Sequence, residues 1–102
     1  MNKAQFATIA DELLAKVNAI GMNDYHVSLT VVSEFKTLAH NYRDYLSSDI
    51  SGDISLIESL FDKMNRYKAG RNIPKQSENH HQATSHLEYL LTEMKQTNKF
   101  PE

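Results

Sequence analysis

Five histidines in 102 residues invite a metal or acid-base reading, so they come first. His80, His81 and His86 fall on one predicted helix at separations of one, five and six. None of these puts two imidazoles one turn apart, as the i, i+4 pairs of helical zinc enzymes do. His26 and His40 lie fourteen apart on another predicted helix, with no carboxylate held beside them by spacing. Glu34 and Glu93 are spaced as ordinary surface charges, and no pair of Glu-x-x-His motifs of the di-iron bundle kind occurs. The chain has no cysteine, which excludes a disulfide framework, a thiolate metal site and a cysteine nucleophile. The expectation is a protein without catalytic residues, metal or cofactor.

Charge is the more informative chemistry. Residues 1–60 carry four Lys/Arg against eight Asp/Glu, residues 61–75 carry five against one, and residues 76–102 carry two against four. The middle block is Lys63, Arg66, Lys68, Arg71 and Lys75, so one end of the molecule is expected to be basic. Such a cluster suits an anionic membrane surface or an acidic partner, each cation near a charged bilayer being worth about 1 kcal/mol. Part of it is also helix physics, because cations late in a helix complement its dipole. Five cations in a chain of net charge −2, without a recognition-helix signature, predict no nucleic-acid binding. The five tyrosines, Tyr25, Tyr42, Tyr45, Tyr67 and Tyr89, read as half-buried helix-interface residues rather than a stacking platform.

The elements that position these residues are helices. Over residues 24–46 Tyr25, Leu29, Val32, Phe35, Leu38, Ala39, Tyr42, Tyr45 and Leu46 recur at steps of three and four, a one-faced helical stripe that Val27 and Val31 widen. A stripe this wide needs more than one neighbour. Phe6, Ile9, Ala10, Leu13, Leu14, Val17 and Ile20 predict a helix over about 4–20, closed by Gly21 as a left-handed cap, with Asn23 or Asp24 capping the next helix. Ile54, Ile57, Leu60, Phe61, Met64 and Tyr67 predict a third helix over about 54–69, capped by Asp53 or by a Ser55/Glu58 capping box. Gly70 and Ile73-Pro74 end it. Ala83, Leu87, Leu90, Leu91 and Met94 predict a fourth helix over about 77–97, opening near Gln76 or Ser77, whose first two turns are polar all round and so are expected to project or fray. Residues 98–102 form a short tail in which Phe100 docks in a groove or awaits a partner.

Two prolines and three glycines, all between or after these segments, argue against a many-turned β fold. The expectation is a single all-α domain, an antiparallel four-helix bundle with short loops and a short C-terminal tail. No stretch has the ~20 apolar residues that cross a bilayer. Met1 to Phe6 enters an amphipathic pattern with no signal-peptide block, so a cytoplasmic location is expected.

Four amphipathic helices in about one hundred residues, the Ala10-Asp11-Glu12-Leu13-Leu14 helix, the helical hairpin spanning 54–67 and 83–94, and the Asn98-Lys99-Phe100-Pro101 ending resemble a known family. It is the cytosolic immunity proteins, of the enterocin A type, with which Gram-positive bacteria protect themselves from their own pediocin-like (class IIa) bacteriocins. The likeness covers the whole chain as architecture and contains no specific motif, so no family residue list is transferred. It implies a non-enzymatic, monomeric four-helix bundle, peripheral to the membrane. The implied target is the sugar-transporter receptor, the mannose phosphotransferase permease, with bacteriocin bound. Specificity in the family is attributed to the C-terminal half, where Lys63, Arg66, Lys68, Arg71, Lys75 and Phe100 all lie; these six are the expected contact residues. The competing expectation is a small helical adaptor working by homo- or hetero-oligomerisation through uncovered apolar residues such as Val27, Val31 or Ile50.

Overall fold

A computed structural model describes residues 3–45 and 50–96, and four α-helices carry most of them: α1 (Lys3–Ala19), α2 (Tyr25–Asn41), α3 (Ser51–Ala69) and α4 (Ile73–Lys95). Leu46, the Tyr45 side chain, residue 97 at the expected end of the fourth helix, and the tail with Phe100 lie outside the described residues. Each helix turns one apolar stripe inward: Phe6, Ala10, Leu13 and Val17 from α1; Val31, Val32, Phe35, Leu38 and Ala39 from α2; Ile57, Leu60, Phe61 and Met64 from α3; Ala83, Leu87, Leu90, Leu91 and Met94 from α4. Phe6, Phe35, Phe61, Leu87 and Leu91 are sealed completely. This is the expected all-α four-helix bundle.

Cross-helix polar pairs fix the arrangement. Lys16 meets Glu34 at 3.0 Å between α1 and α2, Lys36 meets Glu58 at 2.8 Å between α2 and α3, and His86 meets Asp53 at 3.0 Å between α3 and α4. Lys95 and Asp11 close the ring between α4 and α1. Two contacts along a helix pair give its direction: Ile20 meets His80 while Asp11 meets Lys95, and Tyr25 meets Asp62 while Lys36 meets Glu58, so α1 runs against α4 and α2 against α3. These pairs are partly exposed and each contributes about 0–1 kcal/mol, so they specify register more than stability. The most extensive helix contact is between α3 and α4. Helices of 17 to 23 residues, roughly 26–35 Å long at 1.5 Å per residue, fit only along the longest of the body's 49 × 23 × 17 Å extents.

Helix ends depart from expectation, each for a local reason. Gly21 has no left-handed backbone. Its amide instead donates to Asp24 Oδ2 at 2.9 Å, and a Cβ there would lie 2.6 Å from that oxygen and push the Asp24 side chain aside. Asp24, occupied in this way, gives α2 no side-chain cap. The second helix stops at Asn41, short of 46, because Arg43 Nη1 donates to the His40 carbonyl at 3.1 Å and the chain tightens into the 3₁₀ turn Arg43–Tyr45. Leu29, predicted in the buried stripe, is 42% exposed; Ser28 holds the inward position and bonds the Tyr25 carbonyl.

The third helix begins at Ser51, before either predicted cap. Ile50 packs against the core at the cap position and accepts the Ile54 amide at 3.0 Å, while Asp53 is turned toward His86. At its far end Asn72 N donates to Tyr67 O at 2.8 Å and Arg71 N to Lys68 O at 3.1 Å, the paired bonds of a Schellman closure. The left-handed residue is Arg71, at φ 57°, one position after Gly70. The fourth helix starts at Ile73 rather than near 77: Asn72 caps it by accepting the Lys75 amide at 3.3 Å, and Pro74 falls in the first turn, where a missing N–H leaves nothing unmade.

A left-handed conformation costs a non-glycine residue about 1–2 kcal/mol, partly offset by the added chain entropy of glycine. Arg71→Gly is therefore expected to stabilise the fold by about 0.5–1 kcal/mol in urea unfolding, whereas a loss of stability would show that the arginine side chain supports the turn.

Candidate functional site

The α1–α2 loop and the α3–α4 turn meet at one end of the bundle, and polar side chains hold them together. Gln76 in the first turn of α4 is 3% exposed; its amide donates to the Met22 carbonyl at 2.9 Å and to Asn23 Oδ1 at 3.1 Å. One turn on, His80 Nε2 lies 2.9 Å from the Ile20 carbonyl, so that nitrogen carries the proton and donates. Lys68 Nζ reaches the Asn23 carbonyl at 3.4 Å, and buried Asn79 donates to the Lys75 carbonyl at 2.8 Å. The polar opening turns of α4 are thus docked through hydrogen bonds, and the expected projecting or frayed end is not found.

This end carries the predicted basic residues. Lys63, Arg66 and Lys68 lie on α3, Arg71 in the turn and Lys75 on α4, all exposed. The structure brings them to one end but gives them different work. Lys68 holds the α1–α2 loop, and Lys75 Nζ stands 5.5 Å from the centre of the Tyr67 ring, a cation–π contact. Lys63, Arg66 and Arg71 make no ion pair among the described residues. Beside Lys63, Asp62 accepts a short hydrogen bond from the Tyr25 hydroxyl across α2 and α3. That bond, then burial and the carboxylate charge, raise the Tyr25 pKa above its ordinary 10.0. Phe100 lies outside the described residues.

The histidines of α4 point to separate places: His80 to Ile20, His86 to Asp53, and His81 to solvent. No group of three or more His, Cys, Asp or Glu suited to a metal ion occurs among the described residues. Toward the opposite end, a shallow groove of about 410 Å³ runs between α3 and α4, lined by Leu56, Leu60, Gln82, Ser85, His86 and Tyr89. Of the apolar residues expected to be uncovered, Val27 is 47% exposed, but Val31 is buried and Ile50 packs on the core. Gln76 and Ile73 were missed by sequence reasoning. Asn72-Ile73-Pro74, a cap residue with proline just inside, is the signal that places the helix start early enough to include both.

No protein-family profile matches this chain, and searches of curated proteins and of solved structures found no match either. Among the described residues no helix is long and apolar enough to cross a membrane.

Two measurements probe the loop-binding end. Gln76→Ala leaves the Met22 carbonyl with one donor fewer and should cost about 1–3 kcal/mol in urea unfolding, against under about 0.5 kcal/mol for exposed Gln82→Ala; equal effects would deny Gln76 its role. Because the folded chain holds the Tyr25 proton more tightly than the unfolded one, this contribution is fully present below pH 10.0 and is lost as pH rises through the raised value. Tyr25→Phe should therefore flatten the alkaline limb of stability against pH, and an unchanged limb would count against the Asp62 bond.

Proposed function

We propose that this chain is a non-enzymatic immunity protein that protects a Gram-positive producer cell from a pediocin-like bacteriocin. In this reading it works from the cytoplasmic side, on the mannose phosphotransferase permease with bacteriocin bound, and keeps that complex from leaving an open pore. The form of the chain supports the reading: four antiparallel helices with the most extensive contact in the α3–α4 hairpin, the half to which the resembled family's specificity is attributed. The observation that carries it is the set of cations on that hairpin, Lys63, Arg66 and Arg71, which no carboxylate among the described residues neutralises.

A protein of net charge −2 is not drawn to an anionic leaflet as a whole. Screening with a length of about 8 Å at physiological ionic strength lets only the nearest charges be felt, so a basic end can orient the body while the acidic remainder stays away. Orientation brings the hairpin to the membrane plane where the receptor is embedded.

Expression in a bacteriocin-sensitive strain should raise survival against at least one member of a panel of pediocin-like peptides, relative to an empty vector. Replacing Lys63, Arg66 and Arg71 together by glutamine removes about 1 kcal/mol per cation, roughly a hundredfold in surface partition, and should abolish that protection with helical content intact. Undiminished protection would remove the basic end from the function.

A further inference from the structure

The basic end carries more than charge. Ile73 is the most exposed large apolar side chain among the described residues, at 62%, and it lies in the first turn of α4 between Arg71 and Lys75. Pro74 beside it is exposed as well. An isolated surface isoleucine is ordinary. This one opens α4 directly after the turn that joins it to α3, with Arg71 and Lys75 two residues to either side. Its exposure is not needed for folding, because the inward position of that turn belongs to Gln76.

The charge at this end is modest. Lys63, Arg66, Lys68, Arg71 and Lys75 share this part of the molecule with Asp24, Asp62 and Glu78, an excess of two positive charges. Attraction of that size concentrates a protein at an anionic surface only weakly, and one apolar side chain alone does the same. Either signal alone gives marginal, reversible binding, and the two together strengthen it. An exposed apolar side chain with cations beside it matches the two layers of a bilayer surface, the anionic headgroups and the hydrocarbon just beneath them.

We propose that Ile73, flanked by Arg66, Arg71 and Lys75, is a membrane-docking tip whose partner is a bilayer containing anionic phospholipid. Ile73 enters the boundary between headgroups and acyl chains while the guanidinium and ammonium groups contact lipid phosphates. This deepens the proposed immunity role by naming what the basic end touches, yet it requires neither bacteriocin nor receptor.

The chain contains no tryptophan, so Ile73→Trp introduces a single reporter. Mixed with vesicles of phosphatidylglycerol and phosphatidylcholine at low salt, it should shift to the blue and be quenched by brominated acyl chains, and pure phosphatidylcholine should have no effect. Leu56→Trp, half exposed toward the other end of the hairpin, should remain unquenched. In co-sedimentation, Ile73→Ser should weaken partition roughly tenfold to a hundredfold, with an unchanged circular dichroism spectrum, and Leu56→Ser should not. Absence of any shift with anionic vesicles would overturn the proposal and leave an acidic protein surface as the partner of the cations. Partition indifferent to Ile73→Ser would overturn it equally. Vesicle binding without cellular protection would defeat the immunity reading alone, and protection without vesicle binding would defeat the tip alone.

Discussion

The buried side chain of Gln76 is the interaction on which the geometry of the basic end depends. Buried amides are costly unless satisfied, and this one is satisfied only if the α1–α2 loop lies against the first turn of α4. The register between the N-terminal and C-terminal helix pairs at this end is thereby set by polar geometry, since apolar contacts alone tolerate sliding. His80 and Lys68 add donors to neighbouring carbonyls of the same loop. With the loop held, the outward positions of the turn are left to Arg71, Ile73 and Lys75.

Much of this was legible because apolar periodicity is a robust signal. The stripes of all four helices and the antiparallel hairpins follow from spacing, and the cluster from Lys63 to Lys75 follows from charge along the chain. The errors share a cause: each end was assigned to the residue type that usually performs that job, while a neighbour's demand diverted it. Asp24 and Asp53 are good caps by type, but one bonds back to Gly21 and the other pairs with His86. Gly70 does end α3 as expected, with the left-handed position falling one residue later on Arg71. Leu29 fits a helical step but faces away from the neighbours that the structure supplies. The docking of polar turns in α4 was invisible to periodicity, because its partners are backbone carbonyls more than fifty residues away.

The five cations separate into two classes that sequence could not distinguish. Lys68 and Lys75 have local partners in the Asn23 carbonyl and the Tyr67 ring, and substituting them changes folding as well as surface charge. Lys63, Arg66 and Arg71 have no ion pair among the described residues, so their contribution is to the field outside the protein. Arg71 is held in a strained backbone position that glycine would occupy more comfortably, next to a glycine that is not. A cation kept there at a conformational cost fits a surface role better than a folding role.

The competing adaptor reading turns on how the exposed apolar residues are distributed. Ile9, Val27, Leu29, Leu56, Ile73 and Tyr89 are spread over all four helices. An oligomer interface needs a contiguous core of buried apolar area surrounded by a polar rim. Leu56 and Tyr89 come together across the α3–α4 groove, where His86 is engaged by Asp53 and Tyr89 by Glu93 at 2.8 Å. That groove is shallow, and only two of the six exposed large apolar residues meet on it. Ile73 stands apart from it at the other end of the hairpin, where its neighbours are positive. The apolar and the charged contributions coincide at the tip and nowhere else among the described residues, and this coincidence favours a surface that meets anions and hydrocarbon together over one that meets another helix.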